Sequence, residues 1–309
     1  MDKHISVLLE EAIKGLNIKE DSVIVDCTLG YGGHSSQILE RIKRGSLFAF
    51  DQDIAAINFA KTRLSLIGTN FEIIKSNFKN LKPELEARNI TQVDGILFDL
   101  GVSSPQLDDG SRGFSYHEDA KLDMRMDQSA SLTAYEVVNT YSENELMLIF
   151  FKYGEEKYSK SIAHNIVMAR AIKPVETTLE LVEIIRNSVP EKVRRMGHPA
   201  RKVFQAIRIE VNQELEILEG SLKSALSMLA INGRLEVITF HSLEDRIVKT
   251  LFKNMTEIDK RVKGLPNIPD MYLPNYKLVV SKAIEPSKEE LEVNNRARSA
   301  KLRIIERIK

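Results

Sequence analysis

At 309 residues, with 44 lysines and arginines against 44 aspartates and glutamates, the chain is long enough for one large domain or two smaller ones, and it has no net charge with which to attract a polyanion. A nucleic-acid partner must therefore be held by local patches. The single cysteine, Cys27, excludes an internal disulfide, no paired Cys/His spacing marks a metal site, and no stretch reads as a signal peptide or a membrane span, so a reducing, cytoplasmic setting is expected.

Residues 6–16 place Val7, Leu8, Ala12 and Leu16 at helical spacing and predict an amphipathic N-terminal helix. An alternation follows, with strands at 22–28, 46–50, 71–75 and 93–100 and helices at 33–42, 54–67 and 81–88. Such alternation means βαβ units and a parallel sheet. After Asp109 the rhythm stops. Residues 115–208 hold helical segments only, at 132–138, 143–151, 159–171 and 178–188, punctuated by Pro174, Pro190 and Pro199. A helix at 211–229, a turn at Asn232-Gly233, a strand at 234–240 and a helix at 243–255 resume the alternation. A proline-rich loop, 264–274, leads to strand-like runs at 277–282 and 300–308 that read as a closing hairpin. The expected organisation is an α/β domain, 1–114 with 209–309, interrupted by a helical insertion, 115–208.

The most informative stretch is DGILFDLGVSSPQLDD, 94–109. Its apolar run, Ile96, Leu97, Phe98 and Leu100, suits a central strand covered on both faces. Asp99, Ser103, Ser104, Pro105 and Gln106 then deliver polar groups at the carboxyl end of that strand, where open α/β sheets bind ligands. Strand one ends in DCTLGYGGHS, 26–35. Glycines at such a turn let a nucleotide-like ligand approach the backbone, and the following helix supplies free N–H donors. NAD, FAD and S-adenosylmethionine all use turns of this kind. Asp51, at the end of strand two, is placed to accept hydrogen bonds from ribose hydroxyls, while Asp53 suits an N-cap. Asn77 and Phe78 end strand three with an amide and a ring that can meet an adenine edge and face. Ser35 stands where G-x-G-x-x-G needs its third glycine, so nothing favours a pyrophosphate.

Together with RGFS, LDMRMD, YGEE, FQAIRIEVNQEL, NGRLEVITFHSLEDRIVK and NRARSAKLR, these stretches resemble the bacterial 16S ribosomal RNA cytosine N4-methyltransferase family, the RsmH or MraW type, nearly end to end. The blocks SSPQLDD and FHSLEDR are its most specific signals. The resemblance implies a class I, Rossmann-like methyltransferase sheet interrupted by a helical substrate-recognition insertion. It implies S-adenosylmethionine as cofactor, held by Gly32, Gly33, His34, Asp51, Phe78, Asp99 and Gln106. It also implies methylation of the N4 amine of the decoding-site cytidine in 16S rRNA, with the rRNA or the small ribosomal subunit as partner; the sequence itself calls for no membrane and no metal. A homodimer is compatible with it. Asn295 departs from the pattern, since relatives usually carry proline before RARS.

The cytosine amine is a poor nucleophile because its lone pair is delocalised into the ring, so acceptors on its hydrogens are needed. Asp99 and the backbone around Ser103, Ser104 and Pro105 are assigned to positioning it. Methylation at carbon 5 would need a cysteine nucleophile, and Cys27, inside strand one, reads as a small buried hydrophobe. His241, in FHSLEDR, either borders the target base or belongs to a helix start with Ser242 as N-cap and Asp245 at N3. Asp108 and Asp109 hold the loop or pair with Arg112, and His117, His164 and His198 are assigned structural roles. For RNA, the run Arg186, Lys192, Arg194, Arg195, Arg201, Lys202 and Arg208 faces Glu191 alone, and Arg194, Arg195, Arg201 and Lys202 sit in a proline-bounded segment without apolar periodicity. A second run, Arg296, Arg298, Lys301, Arg303, Arg307 and Lys309, reads equally well as a solvated face. Two alternatives remain open on the residues themselves: an amino-methyltransferase with another RNA or DNA target, and a Rossmann-type nucleotide-binding protein without methyl transfer.

Overall fold

The computed structural model describes residues 5–102, 106, 109–258, 261–262 and 266–309. Its contacts divide the chain into two compact units, Met1–Gly101 with Leu215–Lys309, and Val102–Glu214.

The first unit begins with α1 (Leu9–Gly15), then β1 (Val23–Asp26), α2 (Gly33–Arg41), β2 (Ser46–Asp51), α3 (Ile54–Ser65), β3 (Phe71–Lys75), α4 (Leu81–Glu86) and β4 (Val93–Asp99). Every element predicted there forms, with ends displaced by up to three residues. The chain returns to this unit through β5 (Leu229–Thr239), which the helix Glu214–Met228 precedes. It ends with the helix Ser242–Thr256, then β6 (Tyr276–Leu278), the short helix Lys288–Val293 and β7 (Lys301–Arg307).

The strands stand in the order β3-β2-β1-β4-β5-β7-β6. β1 to β5 are parallel, and β7 runs antiparallel to both β5 and β6. Strand order reverses between β1 and β4, which makes their carboxyl ends the topological switch point of a Rossmann-like sheet. The sheet is covered on both faces. Phe48, Phe50, Ile96 and Phe98 pack with Leu222, Leu226, Val248 and Phe252 on one side. Ile24, Leu47 and Ala49 pack with Ile38, Leu39 and Leu64 on the other, and Leu97, Ile238 and Ile304 meet Leu8 and Ala12. That two-sided burial is the reason the strands read as continuous apolar runs.

Three predicted features take another form. The Asn232-Gly233 turn is an irregularity inside one long strand: pairing jumps from Val93↔Leu229 to Gly95↔Arg234, with Asn232 at φ 69°. A Cβ on Gly233 would come within 2.9 Å of the Ala230 carbonyl oxygen, so only glycine fits there. The predicted hairpin partners β6 and β7 do pair, but β7 also takes β5 as its other neighbour, and residues 279–300 separate the two. The helix predicted at 211–229 is two helices, broken at Gln213, which is left-handed at φ 52°.

The second unit contains α5 (Ala134–Thr140), α6 (Glu143–Lys152), α7 (Ser159–Ile172), α8 (Thr178–Asn187), α9 (Glu191–Met196) and α10 (Arg201–Asn212); α11 (Glu214–Met228) follows. Capping boxes at Thr133/Glu136, Ser142/Glu145 and Thr177/Glu180 start α5, α6 and α8, each satisfying free N–H groups of the first turn. Leu146, Ile149 and Phe150 of α6 are buried with Ile162 and Ile166 of α7 and Leu181 and Ile185 of α8. α9 and α10 correct the reading of the segment that holds Arg194, Arg195, Arg201 and Lys202 as lacking apolar periodicity. Val203, Phe204, Ile207 and Val211 are buried along α10, at spacings of one, three and four residues, and the interleaved arginines and lysines mask that pattern in the sequence.

Candidate functional site

The loop after β1 is held from its two neighbouring strands, β4 and β2. The Cys27 N–H donates to the Leu97 carbonyl at 2.8 Å, Leu29 N–H to the Phe50 carbonyl at 2.9 Å, and Gly30 N–H to the Asp51 carboxylate at 2.8 Å. Gly32, at φ 75°, occupies the N-cap position of α2, and a Cβ on Gly33 would fall 1.8 Å from Ser6 Oγ. Both glycines are therefore required by the chain itself, one for its left-handed backbone and one for the close approach of the N-terminal segment.

Asp51 ends β2. Its Oδ2 accepts from Gly30 N–H and its Oδ1 from Asp53 N–H at 2.9 Å, and the backbone of Gln52 also donates to this carboxyl. Burial raises its carboxyl to about 6, the largest cause, against the lowering effect of those backbone donors. Asp53 is the N-cap of α3, accepting from Ala55 N–H, as the sequence predicts. Asn77 donates to Gln52 and accepts from Lys79 N–H, and Phe78 meets Phe98 edge-on at 5.4 Å, partly buried against the core.

Asp99 ends β4, next to β1. Its backbone N–H donates to Thr28 Oγ1 at 2.7 Å, its Oδ2 lies 3.6 Å from His34 Nδ1, and its Oδ1 is buried without a hydrogen-bond partner among the described residues. The buried His34 imidazole is also tied to the Val7 carbonyl, 3.1 Å from Nε2. At the end of β1, Asp26 accepts from Ser35 Oγ at 2.6 Å and from Thr28 N–H at 3.0 Å. Burial, and then the charges of Asp26 and Glu244, push the Asp99 carboxyl well above the usual carboxylate range; burial also raises Asp26. Asp26 is the member of this group that sequence reasoning missed, although it stands directly before the quoted glycine loop.

Three carboxyl groups thus converge at the ends of β1, β2 and β4, and among the described residues none of them is paired with a lysine or arginine. A cationic ligand with hydroxyl donors fits this donor set, since its charge would offset the burial of the acids and its hydroxyls would reach Asp51. A sulfonium nucleoside has both features. A dinucleotide brings negative phosphates and fits poorly.

Cys27 is a free, buried thiol whose pKa is pushed well up by burial, and is thus an unreactive one. His241 is itself the N-cap of the helix α12 (Ser242–Thr256), in a capping box with Glu244 at N3, which corrects the expectation of Ser242 and Asp245. Its Nε2 lies 3.1 Å from Glu244 Oε1 but off hydrogen-bond direction. Asp245 instead forks onto Arg303, with Nε to Oδ1 at 2.7 Å, and stands 3.8 Å from Lys301, so part of the C-terminal basic run is spent on packing β7. Asp109 caps a short turn by accepting from Ser111, and Arg112 donates to the Arg125 carbonyl. In LDMRMD, Arg125 forks onto Asp123, so this motif acts as a structural knot.

Ser103, Ser104, Pro105 and Asp108 lie outside the described residues, as does the start of the proline-rich loop at 264–265. Gln106 is described and is buried. Of the expected RNA contacts, Arg194, Arg195, Arg201 and Lys202 are exposed; Arg195 pairs with Glu191, and Lys202 donates to the Glu155 carbonyl at 2.8 Å. Arg208 differs. It is half-buried and forks onto Glu214 with two bonds of 2.8 Å, a packing role produced by the turn at Gln213.

The family model described as MraW methylase family matches residues 1–308. A curated relative, Ribosomal RNA small subunit methyltransferase H of Exiguobacterium sibiricum, is 55% identical over 310 residues, covering 100% of this chain and 99% of the relative. Among solved structures, an rRNA methylase from Streptococcus thermophilus aligns over 99% of this chain and 100% of its own, at 12% identity and a TM-score of 0.46.

Proposed function

Because the chain belongs to the MraW methylase family and uses S-adenosylmethionine as methyl donor, we propose that it methylates the N4 amine of the decoding-site cytidine, nucleotide 1402, of 16S rRNA. The observation that carries the cofactor half of this reading is the convergence of Asp26, Asp51 and Asp99, with Asp99 Oδ1 left without a partner among the described residues. The rRNA half rests on the relative that shares 55% of its residues over the whole chain.

In this reading Gly32 and Gly33 keep the loop low enough for the nucleoside to lie over it. Asp51 accepts from the ribose hydroxyls, and Phe78 offers its ring edge to the base. The backbone of the first turn of α2, at His34, faces the same ligand. The bound cofactor supplies an activated methyl group. Asp99 accepts a hydrogen of the target amine, which localises the nitrogen lone pair. Methyl transfer to the amine nitrogen would release one amine proton, for which the Asp99 carboxylate would be the acceptor. Positioning of the two reactants supplies about 7 to 11 kcal/mol of the barrier in reactions of this type. The target base must be out of any helical stack to reach the strand ends. Its substrate places the reaction in the cytoplasm, in keeping with a free thiol.

The test is product analysis. Purified protein, S-adenosylmethionine and 16S rRNA should yield N4-methylcytidine on nuclease digestion and mass mapping, and Cys27→Ala should yield the same product. A covalent RNA adduct trapped with wild type and lost in Cys27→Ala would refute direct transfer to nitrogen.

The insertion is assigned to RNA through Arg194, Arg195, Arg201 and Lys202, with Arg208 withdrawn to packing. Charge reversal of Arg194 and Arg195 together should weaken RNA binding and leave S-adenosylmethionine affinity unchanged. Each lost phosphate contact should flatten the log-log salt slope by roughly 0.7 to 0.9. RNA affinity across a salt series checks this, and an unchanged slope would return these residues to a solvated face.

A further inference from the structure

The second unit gathers rings that the sequence leaves far apart. Tyr116 stacks on His198 with centroids 4.5 Å apart and planes at 26°, lies 4.5 Å from His117 at 49°, and meets Phe204 of α10 edge-on at 5.7 Å. The two imidazoles are 5.3 Å apart. Phe204 is buried and anchors the group in the core of the unit, whereas both histidines are exposed. The backbone at His198 is held as well: its carbonyl accepts from Arg201 N–H at 3.3 Å, and Pro199 follows it.

These histidines pack against rings. His164, by contrast, faces Glu143 at 3.2 Å, while neither His117 nor His198 has a carboxylate partner among the described residues. Partial burial, then the charges of His117 and Arg186, lower the His198 pKa, so at neutral pH it presents an uncharged ring. Exposed rings, packed in a fixed array and bordered by cations, suit a ligand with a flat face and negative charge. Arg186 acts on His198 directly, and Arg194 and Arg201, which flank it in sequence, are exposed without carboxylate partners among the described residues. A duplex cannot use such a surface, because its bases are stacked on one another. An unpaired nucleotide can, because every base has a π-face and carries a phosphate.

We propose that Tyr116, His117 and His198 form a stacking platform for one unpaired base of the RNA substrate, its flanking phosphates held by Arg186, Arg194 and Arg201. This rests on the rRNA reading above and adds to it a base-binding site within the insertion.

The probe is a single-stranded oligoribonucleotide of the rRNA sequence around nucleotide 1402, carrying 2-aminopurine at one position at a time. At one position its fluorescence should be quenched on binding to the wild type. His198→Ala should weaken binding roughly tenfold and abolish that quenching, whereas His198→Phe, which keeps a ring, should restore both. An abasic nucleotide at the same position should weaken the wild type by the same factor and cost His198→Ala nothing further. S-adenosylmethionine affinity should be equal in all of them. Should His198→Ala fail to fold, His117→Ala gives the same readout from the neighbouring imidazole. Wild-type affinity in the alanine variant, surviving quenching, or a phenylalanine variant as weak as the alanine one would overturn the platform. No salt-dependent binding of this RNA by the wild type would overturn the rRNA reading, and the platform with it.

Discussion

Asp99→Ala is expected to lower kcat by about 10²- to 10⁴-fold, the range for loss of a positioned proton acceptor, while the protein melts at an equal or higher temperature. The second half of that outcome follows from the geometry. Asp99 Oδ1 is buried without a partner among the described residues, Oδ2 is 3.6 Å from His34, and the neighbouring Asp26 and Glu244 disfavour its charge. A carboxyl group in that position costs stability, so its removal relieves the fold even as it disables the site. Asp99→Asn separates two roles. If the carboxylate accepts a proton from the amine, the amide should lower kcat with little change in the KM for S-adenosylmethionine; if it chiefly offsets the cofactor's charge, that KM should rise instead. Steady-state kinetics with a thermal melt on each variant decides, and wild-type kcat in Asp99→Ala would remove Asp99 from the chemistry.

Asp51→Ala should abolish measurable cofactor binding in a calorimetric titration, because it removes the ribose acceptor and also strands the N–H groups of Gly30 and Asp53. Asp51→Asn should cost nearly as much. One oxygen faces Gly30 N–H and the other Asp53 N–H, so an amide must turn its NH₂ toward one of these donors. Affinity should also depend on pH. The carboxyl titrates at about 6 in the folded protein, and the ionised form is the acceptor, so binding should strengthen as pH rises through 6 and be about tenfold weaker at pH 5 than at its plateau. Stability runs the other way. With the folded value raised from 3.8 to about 6, the folded state binds more protons than the unfolded chain between those values. Stability contributed by this group therefore falls as pH rises across that window, and its cost is fully present above it. A cofactor affinity flat from pH 5 to 8 would take Asp51 out of the site.

Much of this was determined by the sequence alone. The alternation of strands and helices needs only local periodicity and two-sided burial, so β1 to β4 and the helices between them were legible to within a few residues. Asp51 and Asp99 were legible too, because a parallel strand must deliver the residue at its carboxyl end to the switch point. The capping boxes Ser142/Glu145 and Thr177/Glu180 could have been read in advance, since a hydroxyl and a glutamate three residues apart satisfy each other's backbone groups locally. What the sequence could not determine depended on partners distant along the chain. The break at Gln213 turns on a single left-handed residue, and with it Arg208 passes from candidate phosphate contact to the fork on Glu214. Asp245 is drawn from the cap of its own helix by Arg303, 58 residues away. Asp99 gains its orphaned oxygen only once Thr28, His34 and Asp26 surround it, and Tyr116 meets His198 only once α10 has packed. Periodicity and capping are properties of neighbours a few residues apart, whereas unpaired charge and stacked rings belong to whichever groups the tertiary structure brings together.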